Sequence, residues 1–306
     1  MRILGKTDLL VSEVGLGADC FGTVIEEKEA FRILDAYVEI GGNWIDTAAV
    51  YGRWKKGAEN ASERLLGKWK AQRKNSVIIA TKGGHYDTTL PERIMRLGRE
   101  EVLSDLSDSL LALRAEVLDF YFLHRDDPSR PVAEIVDMME DFVKRGYIRY
   151  YGASNFSADR LREAEAYAKS KGMQGFSAVS NQYSALKVNE GQNTNSDPTL
   201  VITGEAELSY HKESQMPLLP YQSTARGYFS KRQKGEIPDA LRRAYDNPQN
   251  DALYEALLKE SKAKGISMQA ATLLATATAP FPVFPLTGVK RAEDLRDVEQ
   301  AMRYLG

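Results

Sequence analysis

Short runs of β-branched and aromatic residues alternate with longer segments of helical periodicity along this chain of 306 residues. This alternation is typical of a parallel sheet whose strands are joined by crossover helices, and we count about eight such units. The predicted strands cover residues 14–18, 43–47, 77–82, 118–124, 148–154, 176–182, 216–222 and 282–286.

Several of the intervening segments carry one apolar stripe, which predicts helices packed on the sheet. The first of them ends at Gly41, a residue typical of the position after a helix. Its apolar residues recur at helical spacing, namely Ala30, Ile33, Leu34, Tyr37 and Val38. The segments that begin near Arg99 and Val132 repeat this pattern, and each leads directly into a predicted strand.

Eight parallel strand and helix units favour a closed (β/α)8 barrel, an α/β fold, because closure removes the exposed edges of an open sheet. An open doubly wound sheet is the alternative. It would normally carry G-x-G-x-x-G after the first strand, but here Gly15-Leu16-Gly17 is followed by Ala18-Asp19-Cys20. The sequence therefore predicts the barrel.

The segments outside these units extend the prediction. Residues 1–12 contain a turn at 5–8 and predict a short β-hairpin that closes the lower end of the barrel. Residues 187–200 show neither period and predict a long loop beside the active site. Residues 290–305 predict a charged C-terminal helix. No linker-like stretch interrupts the chain, so we expect a single domain over residues 1–306.

Composition narrows the classes of function. With 41 Lys and Arg against 43 Asp and Glu, the net charge of -2 offers no basic field for nucleic acid or anionic lipid. The first residues lack an apolar signal region, and no stretch reaches the roughly 20 apolar residues of a membrane span, so we expect a cytoplasmic protein. Cys20 is the one cysteine, which excludes an internal disulfide. The sequence is compatible with a homo-oligomer.

Titratable residues coincide with the ends of three successive predicted strands, where barrel enzymes place their reacting groups. Asp46 ends the second strand, Lys82 the third and His124 the fourth, and Tyr51 follows in the loop after the second. Each has a structural explanation when taken alone: a turn, a solvated lysine or a hydrogen-bonded histidine. Their coincidence favours a catalytic set.

These residue types suit the reduction of a carbonyl group, which requires a hydride on carbon and a proton on oxygen. Tyrosine has a pKa near 10, so we expect the Lys82 cation to lower the pKa of Tyr51 and make it an acid-base group. Asp46 would keep Lys82 charged, and His124 would orient the substrate oxygen.

The chain resembles the aldo-keto reductase family. The resemblance rests on GGNWIDTAAVYG, SERLLGKW, IIATKGG, LDFYFLHRDDP and GYIRYYGASNF, in this order, and extends from about Leu10 to Leu305. It implies a (β/α)8 barrel that binds NADPH, with NADH as an alternative, and transfers hydride to a small-molecule carbonyl substrate. The family's catalytic tetrad falls on Asp46, Tyr51, Lys82 and His124.

The resemblance also implies cofactor-binding residues. Ser154, Asn155 and Gln182 match the residues that bind the nicotinamide carboxamide, and Tyr221 matches the aromatic that stacks on its ring. Beyond Tyr221 the chain departs from the family's Ser-Pro-Leu-Gly pattern, and there Arg226 is a candidate phosphate partner. At the adenosine end the candidates are Gly288, Lys290 and Arg291.

The predicted substrate-binding residues are Trp54, His85 and Arg125, because each follows a strand end in the loops around the site. A polar and aromatic mouth favours a sugar or polyol-derived carbonyl compound, although charged loops are often only solvated. Three rival classes remain: a nicotinamide-binding regulatory subunit with little turnover, a glycoside hydrolase with paired carboxylates, and a metal-dependent hydrolase. With three histidines in the chain, we expect no metal site.

Overall fold

The computed structural model describes residues 1–73, 76–192 and 197–305 of the protein. The strands are β1 (Arg2–Ile3), β2 (Leu10–Val11), β3 (Gly15–Gly17), β4 (Trp44–Asp46), β5 (Ile78–Gly83), β6 (Leu118–Leu123), β7 (Ile148–Ser154), β8 (Val179–Ser180) and β9 (Leu286–Thr287). β1 and β2 form an antiparallel hairpin, and the other strands form one parallel sheet in the order β8, β7, β6, β5, β4, β3, β9.

Helices follow the strands and pack on the outside of the sheet, as the alternating pattern predicts. They are α1 (Glu27–Glu39), α2 (Ala61–Ala71), α3 (Arg99–Leu113), α4 (Val132–Lys144), α5 (Ala158–Lys171), α6 (Glu205–Ser214), α7 (Tyr228–Lys234), α8 (Asp239–Tyr245), α9 (Pro248–Lys264), α10 (Met268–Ala277) and α11 (Leu295–Met302). Among the described residues, no helix combines the length and apolar character needed to cross a membrane.

The segment 216–222 closes the sheet into a barrel, although it is not a regular strand. Leu218 forms parallel bridges to Val179 on one side and to Val283 on the other. Pro217 and Pro220 have no N–H group, so this segment cannot donate a continuous ladder of hydrogen bonds. The prediction of a strand over 216–222 is therefore wrong, whereas the prediction of a (β/α)8 barrel is confirmed.

Two other predicted strands are shorter or displaced in the structure. The segment 176–182 contains only Val179–Ser180 as a strand, and 282–286 overlaps β9 at Leu286 alone. Prolines at 282 and 285 have the same effect as those in the closing segment. The C-terminal helix predicted over 290–305 is a 3-10 turn at Ala292–Asp294 followed by α11.

The inside and outside of the barrel are separated by the alternation of strand residues. In β6, Phe120 and Phe122 join the interior cluster, while Tyr121 and Leu123 pack in the outer layer with the helices. The interior cluster also includes Leu4 and other residues of the hairpin segment, so the hairpin covers one end of the barrel, as predicted. The hairpin does not cover the opposite end, which is formed by the carboxyl ends of the strands.

The predicted loop over 187–200 carries no helix or strand in its described part. Residues 193–196 of that prediction lie outside the described residues. Asp197 and Thr199, at the end of the loop, approach Arg125 in the loop after β6. This long connection therefore contributes to the rim at the carboxyl end of the barrel.

Candidate active site

Three neighbouring strands bring the predicted catalytic residues into one cleft. Asp46 is the last residue of β4, Lys82 is the penultimate residue of β5, and His124 follows β6 directly. Tyr51 lies in the loop after β4. All four line a cleft of about 480 Å³ at the carboxyl end of the barrel. Parallel strands point the same way, so the residues at their ends meet at one rim.

The turn that carries Tyr51 is determined by a glycine. The Tyr51 backbone N–H donates to the Ala48 carbonyl at 3.0 Å. The next residue, Gly52, has φ +108°, and a Cβ there would lie 2.1 Å from the carbonyl oxygen of Ala58. Only glycine fits such a position, so Gly52 allows the chain to turn sharply and leave the Tyr51 side chain in the cleft.

A buried ion pair lies beneath the cleft. Lys82 Nζ donates to Asp46 Oδ2 at 2.6 Å and to the carbonyl oxygen of Thr47 at 2.8 Å. Lys82 and Asp46 are only 3% and 5% exposed. Burial raises the pKa of the Asp46 carboxyl, and the adjacent Lys82 ammonium acts in the opposite direction. Two opposite charges are thus held in a region from which water is largely excluded.

Tyr51 lies between this ion pair and His124. Lys82 Nζ is 5.2 Å from the centre of the Tyr51 ring, and the rings of Tyr51 and His124 meet edge to face at 5.9 Å. Burial raises the pKa of the Tyr51 phenol well above its ordinary value, and the charges of Asp46 and Asp19 add to the effect. The expected lowering of the Tyr51 pKa by Lys82 is not found: the pKa is raised, and burial is the largest cause. The phenol therefore keeps its proton at neutral pH and can act as a donor.

Two neutral histidines form the wall next to Tyr51. The rings of His85 and His124 meet edge to face at 4.8 Å. Burial and the Arg125 charge lower the pKa of His85 to about 4 and lower that of His124 well below its ordinary value. Both imidazoles are therefore uncharged at neutral pH. A neutral imidazole can orient a carbonyl oxygen by donating one N–H.

This burial of His85 has a measurable consequence for stability. The folded protein binds a proton at His85 only near pH 4, whereas an unfolded histidine does so near pH 6.5, so the free energy of unfolding falls as the pH drops through 6.5. Between about pH 7 and pH 5, we expect the free energy of unfolding to fall by about 2 kcal/mol less in His85→Gln than in the wild type. Urea unfolding of both proteins at the two pH values measures it, and an identical pH dependence would contradict the assignment.

Three of the predicted nicotinamide-binding residues line the same cleft. Asn155 follows β7 in a left-handed conformation, with φ +62°. Its amide Nδ2 donates to the carbonyl oxygen of His124 at 3.1 Å and to Ser154 Oγ at 3.0 Å. Tyr221 donates its hydroxyl hydrogen to Asn155 Oδ1 at 2.6 Å. This network fixes three of the predicted residues, Ser154, Asn155 and Tyr221, in the lining of the cleft.

The side-chain amide of Gln182 indicates whether these residues can bind a carboxamide group. It is 2% exposed, and neither its Nε2 nor its Oε1 has a hydrogen-bond partner among the described residues. Buried amides are normally paired, and a primary carboxamide offers both a donor and an acceptor. The Gln182 amide therefore fits such a group. Gln182 itself lines an adjoining cavity of about 450 Å³, which shares Gln222 with the cleft, so its contact with a nicotinamide remains a prediction.

The cleft continues into a second cavity of about 370 Å³, and the two share Thr287 and Gly288. Arg226 lines the first cavity and Lys290 the second. Lys231 and Lys234 on α7 also line the second cavity, and sequence reasoning missed both. Burial and the charges of Lys290, Arg226 and Lys234 lower the pKa of Lys231, so these cations converge. Their only sequence signal is the basic run after Arg226.

Acidic residues limit the positive charge of this second cavity. Glu236, Asp294 and Asp297 line it together with the lysines. Arg291, a predicted cofactor residue, lies outside the lining of both cavities. Its guanidinium donates to Asp294 Oδ1 at 3.0 Å, and its side chain is 70% exposed. The structure therefore places Lys290 at the cavity and Arg291 on the surface beside it.

The three predicted substrate residues lie in the wall of the cleft. Trp54, His85 and Arg125 all line it, and the Trp54 ring is 6.4 Å from the Tyr51 ring. Trp54 is 55% exposed, so it lies at the mouth. Arg125 is buried and pairs with Asp197, a residue that sequence reasoning missed. No pattern could have indicated this contact, because the two residues are far apart in the chain and Asp197 lies in an irregular loop.

Fold and cleft together define a barrel oxidoreductase, and comparison with known proteins identifies the family. The model of the aldo/keto reductase family matches residues 13–304. The chain belongs to this family, which confirms the resemblance predicted from the motifs. Among the described residues, no cluster of three or more His, Cys, Asp or Glu side chains is arranged to hold a metal ion.

Curated relatives and a solved structure agree with this identification. The chain is 34% identical over 192 residues to the uncharacterized oxidoreductase YrpG of Bacillus subtilis, a match that covers 60% of this chain and 58% of the relative. It is 28% identical to the aldo-keto reductase ausK of Aspergillus calidoustus over 98% of this chain and 77% of that protein. The glycerol dehydrogenase AKR11B4 of Gluconobacter oxydans has the same fold, with a TM-score of 0.73, 22% identity and coverage of 98% and 89%.

Proposed function

We propose that this protein reduces an aldehyde or ketone to an alcohol with NADPH and that Tyr51 is the proton donor. One observation carries the proposal. The cleft holds a partly buried, protonated phenol between the neutral His124 and the Lys82–Asp46 pair. These are the groups that the protonation of a carbonyl oxygen requires.

Each of these side chains has a distinct task in the proposed reaction. When bound, a reduced nicotinamide supplies the hydride that the carbonyl carbon accepts. Tyr51 gives its phenolic proton to the substrate oxygen, and His124 donates a hydrogen bond that orients that oxygen. The Lys82 ammonium stabilises the negative charge left on the phenol, and Asp46 keeps that ammonium in place.

NADPH is the proposed cofactor, in preference to NADH. Ser154, Asn155, Gln182 and Tyr221 would hold the nicotinamide end, beside the catalytic residues. Arg226, Gly288 and Lys290 lie along the cleft and the second cavity, where phosphate groups would meet positive charge and backbone N–H groups. Lys231 and Lys234 add to this charge. Arg291 would contribute only from the surface.

The preference for NADPH can be measured through the lysines of the second cavity. We expect Lys290→Ala and Lys234→Ala each to raise the KM for NADPH by about tenfold and the KM for NADH by less, because the additional phosphate of NADPH loses a charged partner. Lys259→Ala is the matched control, since Lys259 is an exposed lysine of α9 outside the lining of both cavities. Equal effects on the two cofactors would contradict the assignment of NADPH.

The proposed substrate is a small, uncharged and hydroxylated carbonyl compound, such as a sugar or a polyol derivative. Aromatic and polar side chains share the mouth of the cleft, among them Trp54, Tyr86 and His85. Two ion pairs contribute to this lining, Lys82 with Asp46 and Arg125 with Asp197. Hydroxyl groups can hydrogen-bond to such a wall without bringing an additional charge into it.

A simple assay tests the proposed function. The purified protein is mixed with NADPH and a panel of aldehydes, ketones and keto-sugars, and the loss of nicotinamide absorbance is followed. Turnover of hydroxylated aldehydes or ketones supports the proposal. Tight binding of NADPH without turnover of any carbonyl compound would overturn it and would favour a regulatory nicotinamide-binding subunit.

A further inference from the structure

A second ion pair lies in the wall of the cleft, apart from the one beneath Tyr51. Arg125 NH2 donates to Asp197 Oδ2 at 3.1 Å, and the two side chains are only 8% and 9% exposed. Both residues line the same cleft as Tyr51. A charged pair in such a place is costly to desolvate, and the removal of one partner leaves the other uncompensated. The pair therefore contributes to the net charge that a substrate meets in the cleft.

Arg125 makes three hydrogen bonds with its immediate surroundings. Its Nε donates to Thr199 Oγ1 at 2.9 Å, and its NH1 donates to the carbonyl oxygen of His124 at 2.8 Å. With the bond to Asp197, each of its three nitrogens has a partner. The guanidinium is thus held rigidly in the wall beside the catalytic histidine, and its charge is balanced by one carboxylate.

Asp197 is an ionised carboxylate shared by several donors. It accepts hydrogen bonds from the Tyr86 hydroxyl at 2.9 Å and from Thr199 Oγ1 at 2.7 Å, and Arg93 Nε lies 3.6 Å away. Burial acts to raise its pKa, but these hydrogen bonds and the Arg125 charge lower it to about 2. Asp197 therefore carries its negative charge at any pH at which the protein would be assayed.

We propose that Asp197 is a specificity-determining residue: it neutralises Arg125 and so makes the cleft favour uncharged carbonyl compounds over those that carry a carboxylate. This inference rests on the proposed reduction and defines its substrate class. A substrate carboxylate would have to enter beside Asp197 and be repelled. Without the Asp197 charge, the guanidinium groups of Arg125 and Arg93 would attract that carboxylate.

Asp197→Asn tests the proposal, because it removes the charge and keeps the size of the side chain. The measurement is kcat/KM with NADPH for D-glucuronate, divided by that for D-glucose. The two sugars differ only at C6, where D-glucuronate has a carboxylate in place of a hydroxymethyl group. We expect this ratio to rise by about tenfold or more in the variant, as a charge-assisted contact is gained. An unchanged ratio in a variant that still reduces D-glucose would overturn the inference and leave the proposed function intact.

Asp87→Asn is the matched control. Asp87 lies in the loop after β5 and accepts from Thr89 N and Oγ1 at 2.9 and 2.7 Å, just as Asp197 accepts from Thr199 N and Oγ1 at 3.0 and 2.7 Å. It is absent from the lining of the cleft. The control thus loses the same charge from the same kind of turn. We expect its substrate ratio to stay within about twofold of that of the wild type.

A reciprocal variant keeps the test independent of the folding of Asp197→Asn. Arg125→Gln leaves the Asp197 charge in the wall without its partner. We expect kcat/KM for protonated D-glucosamine, divided by that for D-glucose, to rise by about tenfold. The reason is that the wall of the cleft then carries the negative charge of Asp197. A fall or no change in this ratio would contradict the role of the pair.

A binding measurement separates this inference from the proposed function. D-gluconate carries a carboxylate and no carbonyl group to reduce, so its Kd can be measured by calorimetry even in a protein that turns nothing over. We expect Asp197→Asn to bind D-gluconate about tenfold more tightly than the wild type and Asp87→Asn do. Equal affinities would overturn the inference, while failure of turnover alone would count against the proposed reduction.

Discussion

Tyr51→Phe is expected to lower kcat for carbonyl reduction by about a hundredfold to ten-thousandfold, the usual contribution of a positioned general acid. Burial holds the proton on the Tyr51 phenol at neutral pH, and phenylalanine has no proton to give. The ring remains, so the packing against His124 and the ion pair is retained. Steady-state loss of nicotinamide absorbance measures kcat, and fluorescence titration measures the Kd for NADPH, which we expect to change little.

The control for this substitution is Tyr86→Phe, which removes another phenol from the lining of the same cleft. The Tyr86 hydroxyl hydrogen-bonds to Asp197, away from the Lys82–Asp46 pair, so we expect a loss of less than about tenfold. Comparable turnover in Tyr51→Phe and the wild type would remove Tyr51 from the mechanism. A loss of NADPH binding in Tyr51→Phe would instead indicate a role in the cofactor site.

The elements that the sequence predicts well are those in which local pattern and tertiary packing agree. The predicted strand over 148–154 is β7 as the structure has it, and the stripe that ends at Gly41 is α1. The closing segment 216–222 could not be predicted in detail. Its apolar residues indicate a strand, but Pro217 and Pro220 break the ladder, and only the finished barrel shows that isolated bridges are enough.

The position of the candidate catalytic residues follows from strand order alone. Asp46, Lys82 and His124 end adjacent parallel strands, so they must lie close together once the barrel prediction is made. The pKa of Tyr51 follows from a different kind of information. The direction of the pKa shift depends on how much of the phenol is buried and on which charges surround it. Only the structure shows that Asp19 and Asp46 are among those charges.

Contacts between distant loops were beyond the reach of sequence patterns. Lys231 and Lys234 belong to a short basic helix that resembles any solvated surface segment, yet they line the second cavity. Asp197 lies in a stretch without periodicity, and its pairing with Arg125 requires the rims of two different units to meet. The charge of -2 for the whole chain gives no hint that two ion pairs line the cleft.

Lys82→Met tests the ion pair beneath the site through both stability and rate. We expect the free energy of unfolding to fall by about 3 to 5 kcal/mol near pH 8, because Asp46 would remain as a buried carboxylate without its partner. We also expect kcat to fall by about a hundredfold or more, since the charge beside Tyr51 is lost. Urea unfolding and steady-state kinetics measure the two effects.

The pH dependence of that loss identifies Asp46 as its cause. Burial already raises the pKa of Asp46, and without Lys82 it would rise further. A carboxyl group whose folded pKa is raised stabilises the protein at low pH and loses that contribution as the pH rises through the folded value. Lys82→Met should therefore be less destabilised near pH 5 than near pH 8.

Adding Asp46→Asn should restore most of the stability and none of the activity, because it removes the buried charge but not the need for the ammonium. A destabilisation that is independent of pH and persists in the double variant would show that the lost packing of Lys82, and not the charge of Asp46, is responsible.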